Sequence, residues 1–340
     1  MAGEKLLYSH IPEMITDNWA DGNGNVRVVL SGESGVKEIR AEAVFSEFLI
    51  DDFSKDEAEV PDPMDEMIER LIDGDNDGDS LRMRYAASDL IMSFYHCAPA
   101  GRGRLQDFSL THRDEILKKH ENGSLESFIS EFLRTERKFS DVTAASIKGT
   151  VNCLLLLDLA VTFVEAPSSC SFVLSDNPFC MGNFLSPDPR TTPEMKYTLY
   201  GTFFILPLTP KRALCLYDDY VYKLRKTDGR IVLTPDDVER LNTYLMANGT
   251  KYVVPEDFPY ADDIPEKYRA GEGEAEISSL SVFQIRARGL EVEGEVREYP
   301  VDFILENGGR LDNLLDDDFS VSGDVLLSLI SSAAELLSAD

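Results

Sequence analysis

Two apolar runs in the middle of the chain, "YGTFFILPL" and "ALCLYDD", place the strongest constraint on its fold. Both are rich in aromatic and β-branched or apolar residues and are bounded by turn residues, which is typical of short strands. The connections at 206–212 and 218–229 are too short to hold the crossover helix that joins parallel strands. We therefore expect an α+β fold with an antiparallel or mixed sheet, not a doubly wound one.

Helical periodicity dominates the preceding residues, from about 62 to 166. "PMDEMIERLI", "DSLRMRYAASDLIMSFYH" and "SLESFISEFLRTER" all repeat apolar residues at helical spacing. The run Val151–Ala166 is broken by polar residues, and it predicts a buried helix rather than a membrane span. This helical middle segment is expected to be an insertion that packs against the sheet.

Other local signals complete the outline of the fold. Strands are predicted at Asn25–Leu30 and within "SFVLSD", "GRIVL" and "KYVVPED". "TPDDVERLNTYLMANG" predicts a helix that is capped by Thr234 and closed by Asn248-Gly249. We expect one α+β domain at 1–255 and an acidic extension at 256–340, made of strands and a terminal helix, packed on the same body.

The charge of the chain limits its partners. Its 62 acidic residues oppose 33 basic ones, which gives a net charge of −29. Such a field repels nucleic acid and anionic membranes, so nucleic acid is disfavoured as a partner and no membrane association is expected. A small molecule or a protein partner stays open, and a solvated acidic surface is the simplest interpretation of the charge.

Five dispersed cysteines form no C-x-x-C pair, and the first residues lack the apolar core of a secretory signal. Both observations favour reduced thiols and a cytoplasmic location.

Polar residues at the ends of predicted elements are the candidate site. Asp176 and Asn177 follow a strand, His10 and Asn18 lie in an irregular N-terminal stretch, and Asn242 lies on the predicted helix. If they converge, Asp176, Asn177 and His10 would be catalytic, with Asp176 as general base or as ligand to a divalent ion. Asn18 and Asn242 would then orient the substrate or a water molecule. The metal itself is not specified by the sequence.

Two further motifs are weaker. Arg102 and Arg104 follow a helix end and are candidate anion-binding residues, although an internal acidic neighbour is the simpler interpretation. "DGDNDGDS" begins like a calcium loop, but Arg84 stands at the twelfth position, where a bidentate Glu is needed. No P-loop, dinucleotide fingerprint, G-x-S-x-G or H-E-x-x-H motif is present.

Several short motifs occur together in a recognisable order. They are "SHIPEMITDNWADGNGNVRVV", Ser175-Asp176-Asn177-Pro178, Pro207-Leu208-Thr209-Pro210, Leu241-Asn242 and Lys251-Tyr252-Val253. Over most of residues 8–254 the chain resembles a bacterial domain-of-unknown-function family, number four-two-three-eight. Ser9, not His10, stands where that family has its first histidine, and Trp19 replaces the usual Phe. The resemblance implies a fold unit and a site, but no activity.

Two functions are consistent with these residues. One is a metal-assisted, nuclease-like hydrolase, which would require Asp176 and His10 to face one cleft within about 8 Å. The other is a non-enzymatic binding or interaction protein with an acidic surface, in which Asp-Asn-Pro is an Asx-type turn. In that case the Asp176 carboxylate accepts hydrogen bonds from backbone N–H groups.

Overall fold

The computed structural model describes residues 6–31, 33, 35–49, 68–72, 81–98, 153–185, 197, 199–256, 258, 277 and 279–286. The helices are α1 (Glu13–Thr16), α2 (Ala41–Val44), α3 (Leu81–Cys97) and α4 (Pro235–Ala247), and residues 68–72 are also helical. Short 3-10 helices occupy Asp17–Trp19 and Cys153–Leu156. The strands are β1 (Leu6–Ser9), β2 (Asn25–Leu30), β3 (Lys37–Arg40), β4 (Ser46–Leu49), β5 (Ala160–Glu165), β6 (Leu174–Ser175), β7 (Cys180–Asn183), β8 (Thr202–Thr209), β9 (Arg212–Tyr217), β10 (Tyr222–Leu224), β11 (Lys251–Val254) and β12 (Phe283–Ile285).

These strands form two four-stranded sheets and two strand pairs. One sheet has the order β5-β9-β8-β7 and the other β3-β2-β11-β6, while β1 pairs with β4 and β10 with β12. Every ladder between these strands is antiparallel. The α+β class is therefore confirmed, and of the two predicted arrangements, antiparallel or mixed, the sheets have the antiparallel one.

Strand β8 is buried on both faces, which explains its uninterrupted apolar sequence. Phe204 and Leu206 belong to a core cluster that includes most of the buried side chains of α3. Phe203 and Ile205, which alternate with them, belong to a second cluster that contains the apolar face of α4. The long helix of the middle segment therefore packs on one face of the sheet and α4 on the other.

The helix predicted at Val151–Ala166 is wrong. The chain forms the 3-10 turn Cys153–Leu156 and then strand β5, which pairs with β9 along its whole length. Val161, Thr162 and Val164 are β-branched and favour an extended backbone, and short apolar runs do not distinguish helix from strand by period alone. The pairing with β9 satisfies the backbone of β5 and decides the outcome.

The strand predicted within "GRIVL" is also wrong, since this stretch forms only isolated bridges, Thr227 with Arg230 and Glu165 with Val232. Strand β10 lies instead inside the connection at 218–229.

The start of α4 is formed as its sequence predicts. Thr234 is the N-cap, and its hydroxyl accepts a hydrogen bond from the Asp237 N–H at 3.2 Å. The Asp237 carboxylate accepts from the Thr234 N–H at 3.1 Å, which completes a capping box.

Some predictions fall outside the described residues. They concern "SLESFISEFLRTER", "DGDNDGDS", Arg102, Arg104 and the terminal helix. Within the described part of the chain, no helix is both long enough and apolar enough to cross a membrane.

Candidate functional site

The ten residues Ser171–Cys180, called here the central segment, are all buried. The segment contains β6 and the first residue of β7, and it carries both predicted catalytic residues of the strand end. Asp176 is 6% exposed and Asn177 is 8% exposed. A turn at a strand end is ordinarily solvent-accessible, so its burial shows that neighbouring elements cover it.

The Asp176 carboxylate is bound by Thr250. Its Oδ1 accepts a hydrogen bond from the Thr250 backbone N–H at 2.8 Å, and its Oδ2 accepts one from the Thr250 hydroxyl at 2.5 Å. The Asp176 N–H donates to the Lys251 carbonyl at 3.0 Å. Main chain and side chain together thus tie the end of β6 to the start of β11.

The space beside this carboxylate is filled by backbone. A Cβ added at Gly249 would lie 2.6 Å from Asp176 Oδ1 and 2.1 Å from Ser175 Oγ. Only a residue without a side chain allows the main chain to approach this closely. The Asn-Gly that closes α4 therefore packs directly against the candidate site.

His10 contacts the same residue from another side. Its Nε2 donates to the Asp176 backbone carbonyl at 3.1 Å, and its ring meets Phe45 edge-on at 5.7 Å between centroids. The imidazole of His10 thus lies against the main chain of Asp176. The histidine contacts the main chain of Asp176, while the carboxylate is directed at Thr250.

The other predicted polar residues also bind backbone groups. Asn242 Oδ1 accepts from the Val173 N–H at 3.0 Å, and its Nδ2 donates to the Ser171 carbonyl at 2.9 Å. Trp19 Nε1 donates to the Phe172 carbonyl at 3.1 Å. Helix α4 and the N-terminal segment thereby hold the central segment from two sides.

Asn18 is bound to backbone carbonyls as well, but of other elements. Its Nδ2 lies 2.9 Å from the Met14 carbonyl and 3.1 Å from the Leu208 carbonyl, which joins α1 to strand β8. The structure therefore brings His10, Asp176 and Asn242 to the central segment, where His10 and Asn242 bond the main chain, and it places Asn18 on neighbouring elements.

Asn177 is the exception among these residues. Its backbone N–H donates to Ser175 Oγ at 3.0 Å, but its buried Oδ1 has no hydrogen-bond partner within the described part of the chain. Buried amide oxygens are nearly always bonded, so this atom is the least satisfied polar group of the segment.

Among the described residues, no group of three or more His, Cys, Asp or Glu side chains is placed to hold a metal ion. Burial raises the pKa of the Cys153, Cys180 and Cys215 thiols, which keeps them protonated and poorly nucleophilic. All three cysteines are free and buried.

Sequence reasoning missed three features. Thr250 is the partner of Asp176, and a hydroxyl residue directly after a helix-closing Asn-Gly was the available signal. Asp218 binds the N–H groups of Gly201 and Tyr220 at 2.8 and 3.0 Å and so shapes the turn before β10. The alternating cations of "YKLRK" were the signal for a basic surface on β10.

Comparisons with known proteins found one match. A family model described as "Protein of unknown function (DUF4238)" matches residues 55–257, which is more than half of the chain. The matched range contains the Ser-Asp-Asn-Pro, Pro-Leu-Thr-Pro, Leu-Asn and Lys-Tyr-Val motifs and begins after the N-terminal segment. Neither the curated proteins nor the solved structures gave a match.

Proposed function

We propose that this chain, which belongs to the DUF4238 family of proteins of unknown function, is a non-enzymatic binding protein. In this proposal the Ser-Asp-Asn-Pro motif is part of the scaffold and not a catalytic centre. The observation that carries it is the pair of hydrogen bonds by which Thr250 occupies both oxygens of Asp176.

A general base needs a free lone pair within reach of the proton that it removes. The Asp176 carboxylate is buried, each of its oxygens accepts from Thr250, and the backbone at Gly249 fills the adjacent space. Thr250 and Gly249 stand beside this carboxylate, so a substrate or a metal ion could bind its oxygens from that side only if the start of β11 moved away. Such a movement would also break the bond between the Asp176 N–H and Lys251.

The remaining polar residues fit the same role. Unpaired backbone groups in a protein interior are costly, and side-chain amides and indole N–H groups can satisfy them. Asn242, Trp19 and His10 each bond a main-chain group of the central segment, where few strand partners are available because β6 has only two residues. These residues thereby fix the edge of one sheet against α4 and α1.

The charge of the protein supports a binding role at its surface. The described chain exposes many carboxylates, including Glu33, Glu38, Glu42 and Glu256, and the whole chain carries a net charge of −29. A cationic protein partner would be attracted and steered by such a surface. The interaction should therefore weaken as ionic strength rises.

Thermal denaturation with divalent ions tests the proposal against the hydrolase. A specific ion site raises the melting temperature by mass action. We expect that magnesium, manganese, calcium and zinc cause no saturable rise in melting temperature that depends on Asp176 or His10. Any rise seen in the wild type should therefore persist in Asp176→Asn and His10→Ala. A saturable rise in the wild type that both variants abolish would support a metal site at Asp176 instead. Glu38→Gln, an exposed charge change of the same size, is the control for ions that bind the acidic surface.

A second candidate function is the metal-assisted hydrolase predicted from the sequence. It is favoured by the position of His10 beside Asp176 and by the buried, unpartnered Oδ1 of Asn177 within the described part of the chain. In that case Asp176 would be the general base or a ligand to the divalent ion, and His10 and Asn177 would be catalytic beside it. Loss of a hydrolytic activity in Asn177→Ala, at unchanged melting temperature, would support this candidate.

A further inference from the structure

A shallow groove of about 490 Å³ lies against the β10–β12 strand pair. Four cationic side chains line it, and these define the basic groove: Lys223, Arg225, Lys226 and Arg286. All four are exposed. In a chain with nearly twice as many acidic as basic residues, such a concentration of positive charge is unusual.

The strand register explains why the cations lie close together. Lys223 on β10 is paired with Gln284 on β12. Arg225 and Lys226 directly follow β10, and Arg286 directly follows β12, so they lie at the ends of this strand pair. Tyr222 and Leu224 also line the groove, and their burial in the core holds β10 in place.

The two arginines mark opposite ends of the groove. The Arg225 N–H donates to the Val282 carbonyl, and the Arg286 N–H donates to the Val221 carbonyl, so they lie at opposite ends of the antiparallel pair. Residues two apart on a strand are separated by about 7 Å. The cations thus form a row, and one small ion could not contact all of them.

The cations of the groove lack acidic partners in the described chain. There, Arg230 pairs with Glu165 and Arg240 with Asp237, but no carboxylate forms an ion pair with any of the four groove cations. The adjacent Asp218 is buried and is bound by the backbone N–H groups of Gly201 and Tyr220. Within the described residues, the positive charge of the groove is therefore not neutralised by an ion pair.

We propose that the basic groove binds a small molecule that carries two or more linked phosphate groups. Arginine and lysine form charge-assisted hydrogen bonds with phosphate oxygens, and a chain of phosphates matches a row of cations. The volume suits a ligand of nucleotide size. The net charge of −29 opposes a long polyanion, whose further phosphates would meet the acidic surface. The assignment extends the proposed binding function by naming a ligand class, and it rests on that proposal only in treating the groove as non-catalytic.

Isothermal titration of the full chain with inorganic tripolyphosphate, at low ionic strength, tests this assignment. We expect saturable binding, with inorganic phosphate at least about tenfold weaker because it reaches fewer cations. Lys223→Gln/Arg225→Gln should weaken tripolyphosphate binding by about tenfold or more, and Arg286→Gln by a similar factor. A second titration with ATP shows which part of the ligand the groove recognises. Tighter binding of ATP than of tripolyphosphate would indicate a nucleotide ligand, and equal binding would indicate that only the phosphate chain is recognised.

Lys37→Gln/Arg40→Gln is the matched control, since it removes the same charge from exposed residues that are paired with Glu33 and Glu42. It should leave the affinity within about twofold. Absence of tripolyphosphate binding, equal weakening by both double variants, or tighter groove-dependent binding of an oligothymidylate would each overturn the proposal. This result is independent of the scaffold role of the Ser-Asp-Asn-Pro motif. That role is tested by melting in the presence of metal ions, whereas the groove is tested by phosphate binding.

Discussion

Thr250 binds Asp176 twice, through its backbone N–H at 2.8 Å to Oδ1 and through its hydroxyl at 2.5 Å to Oδ2. The two residues are 74 positions apart and join the ends of neighbouring strands β6 and β11. A hydrogen bond from a backbone N–H to a carboxylate is charge-assisted, and such bonds are stronger than hydrogen bonds between neutral groups. This contact is the basis of the scaffold role proposed for the Ser-Asp-Asn-Pro motif.

Gly249→Ala should destabilise the protein by about 1–3 kcal/mol, because the new methyl group would overlap Ser175 Oγ and Asp176 Oδ1. Urea denaturation followed by circular dichroism would measure the free energy of unfolding. Gly22→Ala is the control, since a Cβ there meets no atom within 4 Å among the described residues. If both alanines cost the same, the close packing at Gly249 is not important for stability.

Asn242→Ala should lower the free energy of unfolding by about 2–4 kcal/mol. The change removes the acceptor of the buried Val173 N–H and a donor to the Ser171 carbonyl, and each loss costs about 1–3 kcal/mol. Asn248→Ala removes one half-buried bond to the Tyr244 carbonyl at the end of the same helix and should cost less. An Asn242→Ala variant that loses ligand binding but no stability would argue for a functional asparagine.

Local sequence signals predict the bounds of α4 well, but they predict the arrangement of the candidate site only in part. Thr234, Pro235 and Asn248-Gly249 are signals that act within one or two turns of helix, so they can be read without the rest of the fold. The meeting of His10, Asp176 and Asn242 in one region also followed from motifs at element ends. The direction of the Asp176 carboxylate did not, because it depends on the distant backbone of Thr250.

Strand β5 shows a second limit of sequence reasoning. Its residues, "AVTFVE", continue the preceding apolar run, and the combined pattern predicts one helix. Pairing with β9 decides that these residues form a strand. In a run of only six residues, the spacing of apolar side chains does not reveal such a non-local pairing. The cations of "YKLRK" are visible in the sequence, but the groove depends on the pairing of β10 with β12, which are about 60 residues apart.

Asp237 should make the stability depend on acidity. Burial raises the pKa of Asp237, but hydrogen bonds from Ser281 and Thr234 more than offset this, and the pKa lies below its ordinary value. The folded state therefore prefers the carboxylate, and this stabilisation is present above about pH 4 and lost as the pH falls through the lowered pKa.

Asp237→Asn should thus cost about 1–3 kcal/mol at pH 7, and the difference from the wild type should shrink as the pH falls below about 4. Unfolding in urea at several pH values measures this difference. Asp236→Asn removes the same charge in the same helical turn and should cost only a few tenths of a kcal/mol. A cost for Asp237→Asn that does not change with pH would contradict the assignment.

The most direct test of the scaffold role is the free energy of unfolding of Asp176→Asn. The new amide keeps the size of the side chain but turns an NH₂ group toward the donors of Thr250, so at least one hydrogen bond is lost in a buried place. We predict a loss of about 1–3 kcal/mol, against almost none for Glu38→Gln on the exposed strand β3. Substitutions of active-site residues commonly leave stability unchanged or raise it. Unchanged or increased stability of Asp176→Asn would therefore contradict the scaffold role.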